Sequence, residues 1–210
     1  RCVGCRCGNM RGMGNSKKPK KPPIDKKSIR SRVDDAQSRQ ALVRVRRWIP
    51  YSDQLEGFVV ATSPQWFVLA VLSDQIAFNG WTALRVKDVQ AVTVYPEEDC
   101  FEVRALTARE QWPPSAPAGI DLSTAPDVLR SASTVAPLIA LHREFERPDV
   151  CWIGEVTSLT DSRLSLLEVN VAGGWARKPR RFDVDDITRV DFGGGYEEAL
   201  SLVAGPPPSN

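Results

Sequence analysis

LEGFVVATSPQWFVLAV, residues 55–71, is the stretch on which the reading of the fold turns. β-Branched and aromatic residues fill two runs, Ser63-Pro64 separates them, and Gly57 interrupts the first. That pattern predicts two short strands joined by a tight turn. The plan returns at residues 151–169, CWIGEVTSLTDSRLSLLEV, with Gly154 in the place of Gly57 and Thr160-Asp161-Ser162 as the turn. Self-similarity at a fixed spacing marks a repeated structural unit.

Working outward, residues 42–48 correspond to 138–145, 66–71 to 163–168, Gly80-Trp81 to Gly174-Trp175, and Val86-Lys87-Asp88-Val89 to Val184-Asp185-Asp186-Ile187. Each unit then reads as five short strands. They are expected near 42–49, 55–62, 66–73, 81–86 and 89–95, and again near 138–145, 151–158, 163–170, 180–184 and 187–192. Five strands of this length are expected to curl into a small barrel, because a flat sheet would leave both edges bare. The fold class is therefore mainly β with a minor α part. Two five-stranded barrels are expected at 38–110 and 137–204, joined by a Pro/Ala linker and one helix over 111–136. Thr124 caps that helix, Val128, Leu129, Ala132, Val135 and Ala136 follow helical spacing, and Pro137 ends it. A short helix is expected over 196–203, and 205–210 is a frayed tail.

Charge is distributed unevenly. The formal net charge is only +2, yet residues 1–47 hold 15 of the 28 Lys and Arg residues and 3 of the 26 acids. The remaining 13 basic residues and 23 acids lie in 48–210. A basic arm precedes an acidic body. Lys17-Lys18-Pro19-Lys20-Lys21-Pro22-Pro23 has little to bury and cannot continue a helix, so residues 1–37 are expected to be disordered, with a short polar helix near 28–40.

The chain begins with Arg1, and Met10 and Met13 are its only methionines. A translation start at one of them is expected, which would make Cys2, Cys5 and Cys7 an upstream remnant. Cys100 and Cys151 stand in apolar surroundings, where a reduced buried thiol is the expectation. The basic start leads into no apolar segment of the secretory type, and no apolar run reaches the roughly 18–20 residues that span a bilayer. A cytoplasmic protein without a membrane contact is expected.

Gly57 followed by Val59-Val60, then Phe67-Val68-Leu69, a turn and a closing Val86-Lys87-Asp88-Val89, resembles the Sm-like and SH3-like small barrels. The resemblance implies a non-catalytic binding or scaffold protein and homo-oligomers as a further expectation. Sm-type RNA binders carry an Asn at the third-strand turn and an Arg-Gly or Lys-His pair near strands four and five. Trp66 with Lys87-Asp88, and Arg163 with Asp185-Asp186, stand there instead, so no RNA-pocket residue is carried over. The second unit is similar to a group of uncharacterised bacterial proteins. That likeness rests on His142-Arg143-Glu144, Cys151-Trp152-Ile153-Gly154, the run from Ile187 to Gly194, and Tyr196-Glu197-Glu198-Ala199-Leu200.

Several residues invite a chemical reading. Asp183, Asp185, Asp186 and Asp191 could hold a hard cation, but no ligand loop with a bidentate Glu accompanies them. Gly193-Gly194-Gly195 before a helix suits a phosphate, but Glu197 and Glu198 in the first turn would repel it. His142 is the only histidine, and no nucleophile motif supports it. Three thiols at Cys2, Cys5 and Cys7 are one short of a tetrahedral zinc site. No enzyme, cofactor or metal is expected.

Binding is the better expectation. Lys17, Lys18, Lys20, Lys21, Lys26 and Lys27 form the strongest phosphate-binding signal. Trp175 with Arg177, Lys178, Arg180 and Arg181 places a ring beside cations in a hairpin loop, suited to single-stranded nucleic acid or an acidic partner. The alternative for that loop is a solvated turn paired with Asp183, Asp185 and Asp186. Two functional alternatives accompany the scaffold reading. One is a nucleic-acid-associated regulator acting through the arm and the loop; the other is an acidic-bodied protein that masks a basic protein partner.

Overall fold

The computed structural model describes residues 26–95 and 99–208. The first half of the chain holds helix α1 (Lys26–Ser38), strands β1 (Leu42–Arg47), β2 (Leu55–Thr62), β3 (Trp66–Leu72), β4 (Phe78–Arg85) and β5 (Val89–Val94), then helix α2 (Phe101–Ala108). The second repeats that order with α3 (Ala125–Val135), β6 (Ile139–His142), β7 (Cys151–Leu159), β8 (Arg163–Glu168), β9 (Arg180–Asp183), β10 (Arg189–Phe192) and α4 (Gly195–Ala204). Short 3-10 turns, Val86–Asp88 and Val184–Asp186, lie between the fourth and fifth strands of the two halves. The repeat is therefore larger than five strands: a helix leads into each set and another follows it.

Registers agree between the halves. Gly57 pairs with Val43 and Val71, and Gly154 with Ile139 and Glu168. A Cβ at Gly57 would run into the Ala70 carbonyl, and one at Gly154 into the Leu167 carbonyl. The second strand of each half also breaks register shortly after its glycine, between Val59 and Ala61 and between Val156 and Ser158. One correspondence fails. Counting along the pairs places Arg180 where Thr82 stands, so Pro179 answers Trp81, while Trp175 belongs to a longer β8–β9 connection bridged to Val169.

The ten strands form one antiparallel sheet in the order β5-β1-β2-β3-β4-β10-β6-β7-β8-β9. Two separate closed barrels are not what this shows. In neither half does the fourth strand pair with the fifth of the same half; β4 pairs with β10, and the sheet is open at β5 and β9. The reason is packing across the seam. Trp66, Val68 and Ala83 of the first half lie in one core with Val128, Leu129, Ile139, Leu141, Phe182 and Phe192 of the second. The alternate β3 residues Phe67 and Leu69 point into the core under α1.

The helices also correct the expected boundaries. Ile29, Val33 and Ala36 recur at helical spacing and are fully buried against β-strand residues of the first half. The polar helix expected near 28–40 is thus seen at Lys26–Ser38, inside the stretch to 37 otherwise expected to be disordered. The remainder of that arm lies outside the described residues. Helix α3 is not a free linker either: Val128, Leu129 and Ala132 are buried in the seam core. Thr124 caps it as expected, accepting from the Asp127 amide. No helix among the described residues is long and apolar enough to cross a membrane.

Candidate functional site

The seam brings together polar residues that lie far apart in the sequence. In β1, Val43, Val45 and Arg47 share the inward phase of the strand, so Arg47 enters an apolar layer. Its guanidinium pairs through both Nη atoms with the Glu144 carboxylate, and their side chains are 0% and 2% exposed. Thr188 donates its hydroxyl hydrogen to the same carboxylate at 2.7 Å. Burial alone would push the Glu144 carboxyl up; Arg47, with His142 and Thr188, outweighs it and holds the group below its ordinary value.

A second cluster lies on β10. Asp191 accepts from Thr82 at 2.7 Å, from Arg189 Nε at 2.7 Å and Nη2 at 2.6 Å, and faces His142 Nε2 at 2.9 Å. Burial would raise its carboxyl, but Arg189 and His142 beside it hold it well below the usual carboxylate range. Glu197, on α4 nearby, is shifted the other way, raised by burial and further by Asp191. The only histidine is thus engaged with an aspartate.

Around this buried frame the surface opens into two adjoining clefts. The first, about 420 Å³, is edged by Trp48 and Phe145, whose rings meet at 5.0 Å between centroids and 55° between planes. They are 36% and 47% exposed. The Trp48 indole donates to the Lys87 carbonyl at 3.0 Å, which fixes the ring against the first 3-10 turn. Arg143 crosses the floor to Asp186 at 2.7 Å and Glu146 at 2.6 Å. The second cleft, about 460 Å³, has Lys27 and Arg30 of α1 on one side and Ala125, Val184 and Asp185 on the other.

Lys87, Arg85 and Asp185 line both clefts. Arg85 is buried, pairs with Asp88 at 2.6 Å and donates across the seam to the Asp185 carbonyl at 2.7 Å. Burial still leaves the Asp88 carboxyl raised despite that partner. Lys87 and Asp185 are exposed where the clefts meet.

The residues singled out from the sequence fare unequally. Lys17, Lys18, Lys20 and Lys21 lie outside the described residues, as does the side chain of Lys26. Lys27 is exposed and lines the second cleft. Trp175 is not an open stacking ring: it packs against Leu138, Ala140, Ile153, Val169 and Leu200, and its indole donates to the Ala204 carbonyl at 3.2 Å. Arg177, Lys178 and Arg181 are exposed beside it. Arg180 pairs with Glu168 rather than with any of the aspartates expected to hold that loop.

Those aspartates do not converge either. Asp183 pairs with Arg163, Asp186 with Arg143, and Asp191 with Arg189 and His142. No group of three or more metal-ligating side chains occurs among the described residues. The amide of Gly195, at the start of α4, donates to Asn79 Oδ1 at 2.9 Å, so a side chain from the first half already occupies that turn. Trp48, Phe145 and Arg47 were not singled out from the sequence. The available signal was the phase of Arg47 on its strand.

No protein-family model, no curated protein and no solved structure matches the chain.

Proposed function

We propose that the chain is a non-catalytic binding protein of two Sm/SH3-like units, and that it takes a segment of single-stranded nucleic acid in the clefts along the seam. Support for the units comes from the shared strand order, the register break after Gly57 and Gly154, and the 3-10 turn before each fifth strand. The observation that carries the ligand class is the juxtaposition of the half-exposed Trp48–Phe145 pair with exposed Lys87, in a cleft adjoining the one that Lys27 lines. Aromatic faces that stack on bases, interleaved with cations that meet phosphates, are the means by which single strands are held without sequence preference. The Lys-rich segment 17–26 leads into the helix that carries Lys27, and would add sequence-neutral attraction.

Fluorescence anisotropy of a labelled mixed-sequence oligonucleotide tests this reading. Binding should be strong at low salt and weaken steeply as salt rises. Trp48→Ala should cost on the order of 1–3 kcal/mol of affinity through lost stacking. Lys87→Glu should weaken binding and flatten its salt dependence. Absence of binding at low salt rejects the proposal.

Asp185, Asp186 and Glu146 on the same rim favour a second reading, in which a basic segment of a protein partner is held instead. Binding of a labelled oligolysine, with none of the oligonucleotide, is the outcome that selects it.

A further inference from the structure

The seam joins unlike edges: the fourth strand of one half, β4, meets the fifth strand of the other, β10. A head-to-tail joint of this kind leaves one fourth strand, β9, and one fifth strand, β5, at the two ends of the sheet. Repeated between chains, the same joint would close a ring or run on without limit. An open edge therefore needs something to stop it.

The β5 edge has such a stop. Tyr95 donates its amide to Leu42, so by alternation the backbone groups of Val92 point away from β1. There the Val92 carbonyl accepts from Arg32 Nη1, on α1, at 3.1 Å. Val92 faces Val45 as Val190 faces Leu141, so Val190 is its counterpart, and Val190 lies opposite Ala83 across the seam. Arg32 thus occupies on β5 the side that β4 occupies on β10.

The second half lacks this device. Matching the buried stripe Ile29 and Val33 to Val128 and Ala132 puts Ser131 in the place of Arg32. The Ser131 hydroxyl bonds within its own helix, to the Asp127 carbonyl at 2.7 Å. An arginine stands where the edge is open, and a short side chain where the edge is paired. The far end is blunted by other means. Pro179, without an N–H, immediately precedes the four-residue β9, and exposed Arg181 stands where β4 has buried Ala83.

We propose that Arg32 holds the β5 edge shut against the β9 edge of a second copy of the chain, so that the sheet ends at ten strands.

Sedimentation velocity on the full chain over a wide concentration range tests this, with circular dichroism to confirm folding. The wild-type protein should remain monomeric. Pro179→Val with Arg181→Ala bares β9 alone and should also remain monomeric, because Arg32 still closes the partner edge. Adding Arg32→Ala should raise the weight-average mass at least about twofold as concentration rises. Arg32→Gln, which keeps a donor, should reduce that association. Self-association of the wild type, equal association with and without Arg32, or a monomeric triple variant would each overturn the proposal.

Discussion

Thr82 and Asp191 meet across the seam, the threonine hydroxyl donating to the carboxylate at 2.7 Å. They belong to different halves of the chain, and their strands pair directly. The bond couples the halves through a charged acceptor. Thr82→Val keeps the shape and removes the donor. It should cost about 1.5–3 kcal/mol in urea denaturation, the range for a hydrogen bond to a charged group.

Among the described residues, Arg47 and Glu144 form a fully buried ion pair along the seam. Arg47→Met strands the carboxylate and Glu144→Leu strands the guanidinium, so each alone should cost about 3–5 kcal/mol. The double variant leaves neither charge unpaired and should recover most of that loss. A strictly additive double variant would show that the pair is not a coupled unit.

The pH dependence has a definite sign. Asp191 and Glu144 are depressed in the folded protein, so their stabilisation is present above the ordinary carboxylate values, about 3.9 and 4.3, and is lost as pH falls below them. Thermal melts should therefore lose Tm steeply between about pH 5 and pH 2. Glu197 is raised and works the other way, costing stability as pH rises through its ordinary range. Asp191→Asn should flatten the acid limb while lowering stability at neutral pH, because Arg189 loses the nearer of its two carboxylate partners, Asp53 being 3.9 Å away.

Gly57 and Gly154 make a paired test of the repeat. A methyl at either position meets a backbone carbonyl on the next strand, which cannot move aside cheaply. Gly57→Ala and Gly154→Ala should each be destabilised by about 1–3 kcal/mol, the usual scale of overpacking. A neutral result at one site would show that the halves differ there.

Trp48→Ala separates site from scaffold. The ring is partly exposed, so its loss should leave Tm nearly unchanged while abolishing the quenching of tryptophan fluorescence by oligonucleotide. A large drop in Tm would assign the ring to the fold instead.

Much of the architecture could be read from local pattern. Alternation placed β2 at 55–62 as observed, and the repeat of Gly57 at Gly154 carried the reading into the second half. Helix α1 was expected as a short polar helix near 28–40, but its buried face was not, because Ile29, Val33 and Ala36 are diluted among Lys, Arg, Ser and Asp. The seam was hidden for a different reason. β4 and β10 look like edge strands until each is seen to be the other's partner, and nothing local specifies that pairing. The same holds for the site: Trp48 and Phe145 become neighbours only through the sheet. The tryptophan in the Arg-rich loop was conspicuous by its company, yet its surroundings are those of a core residue.

Strand β3 has a residue in each of two cores by turns, Phe67 and Leu69 on one side, Trp66 and Val68 on the other. Two similar units on one chain can be separable when each closes its own core. Here Trp66, Val68 and Ala83 complete the interior of the neighbouring copy, so that excising either one would leave the other with an uncovered wall. The two halves are interlocked, and neither is contained in the chain as a separable piece.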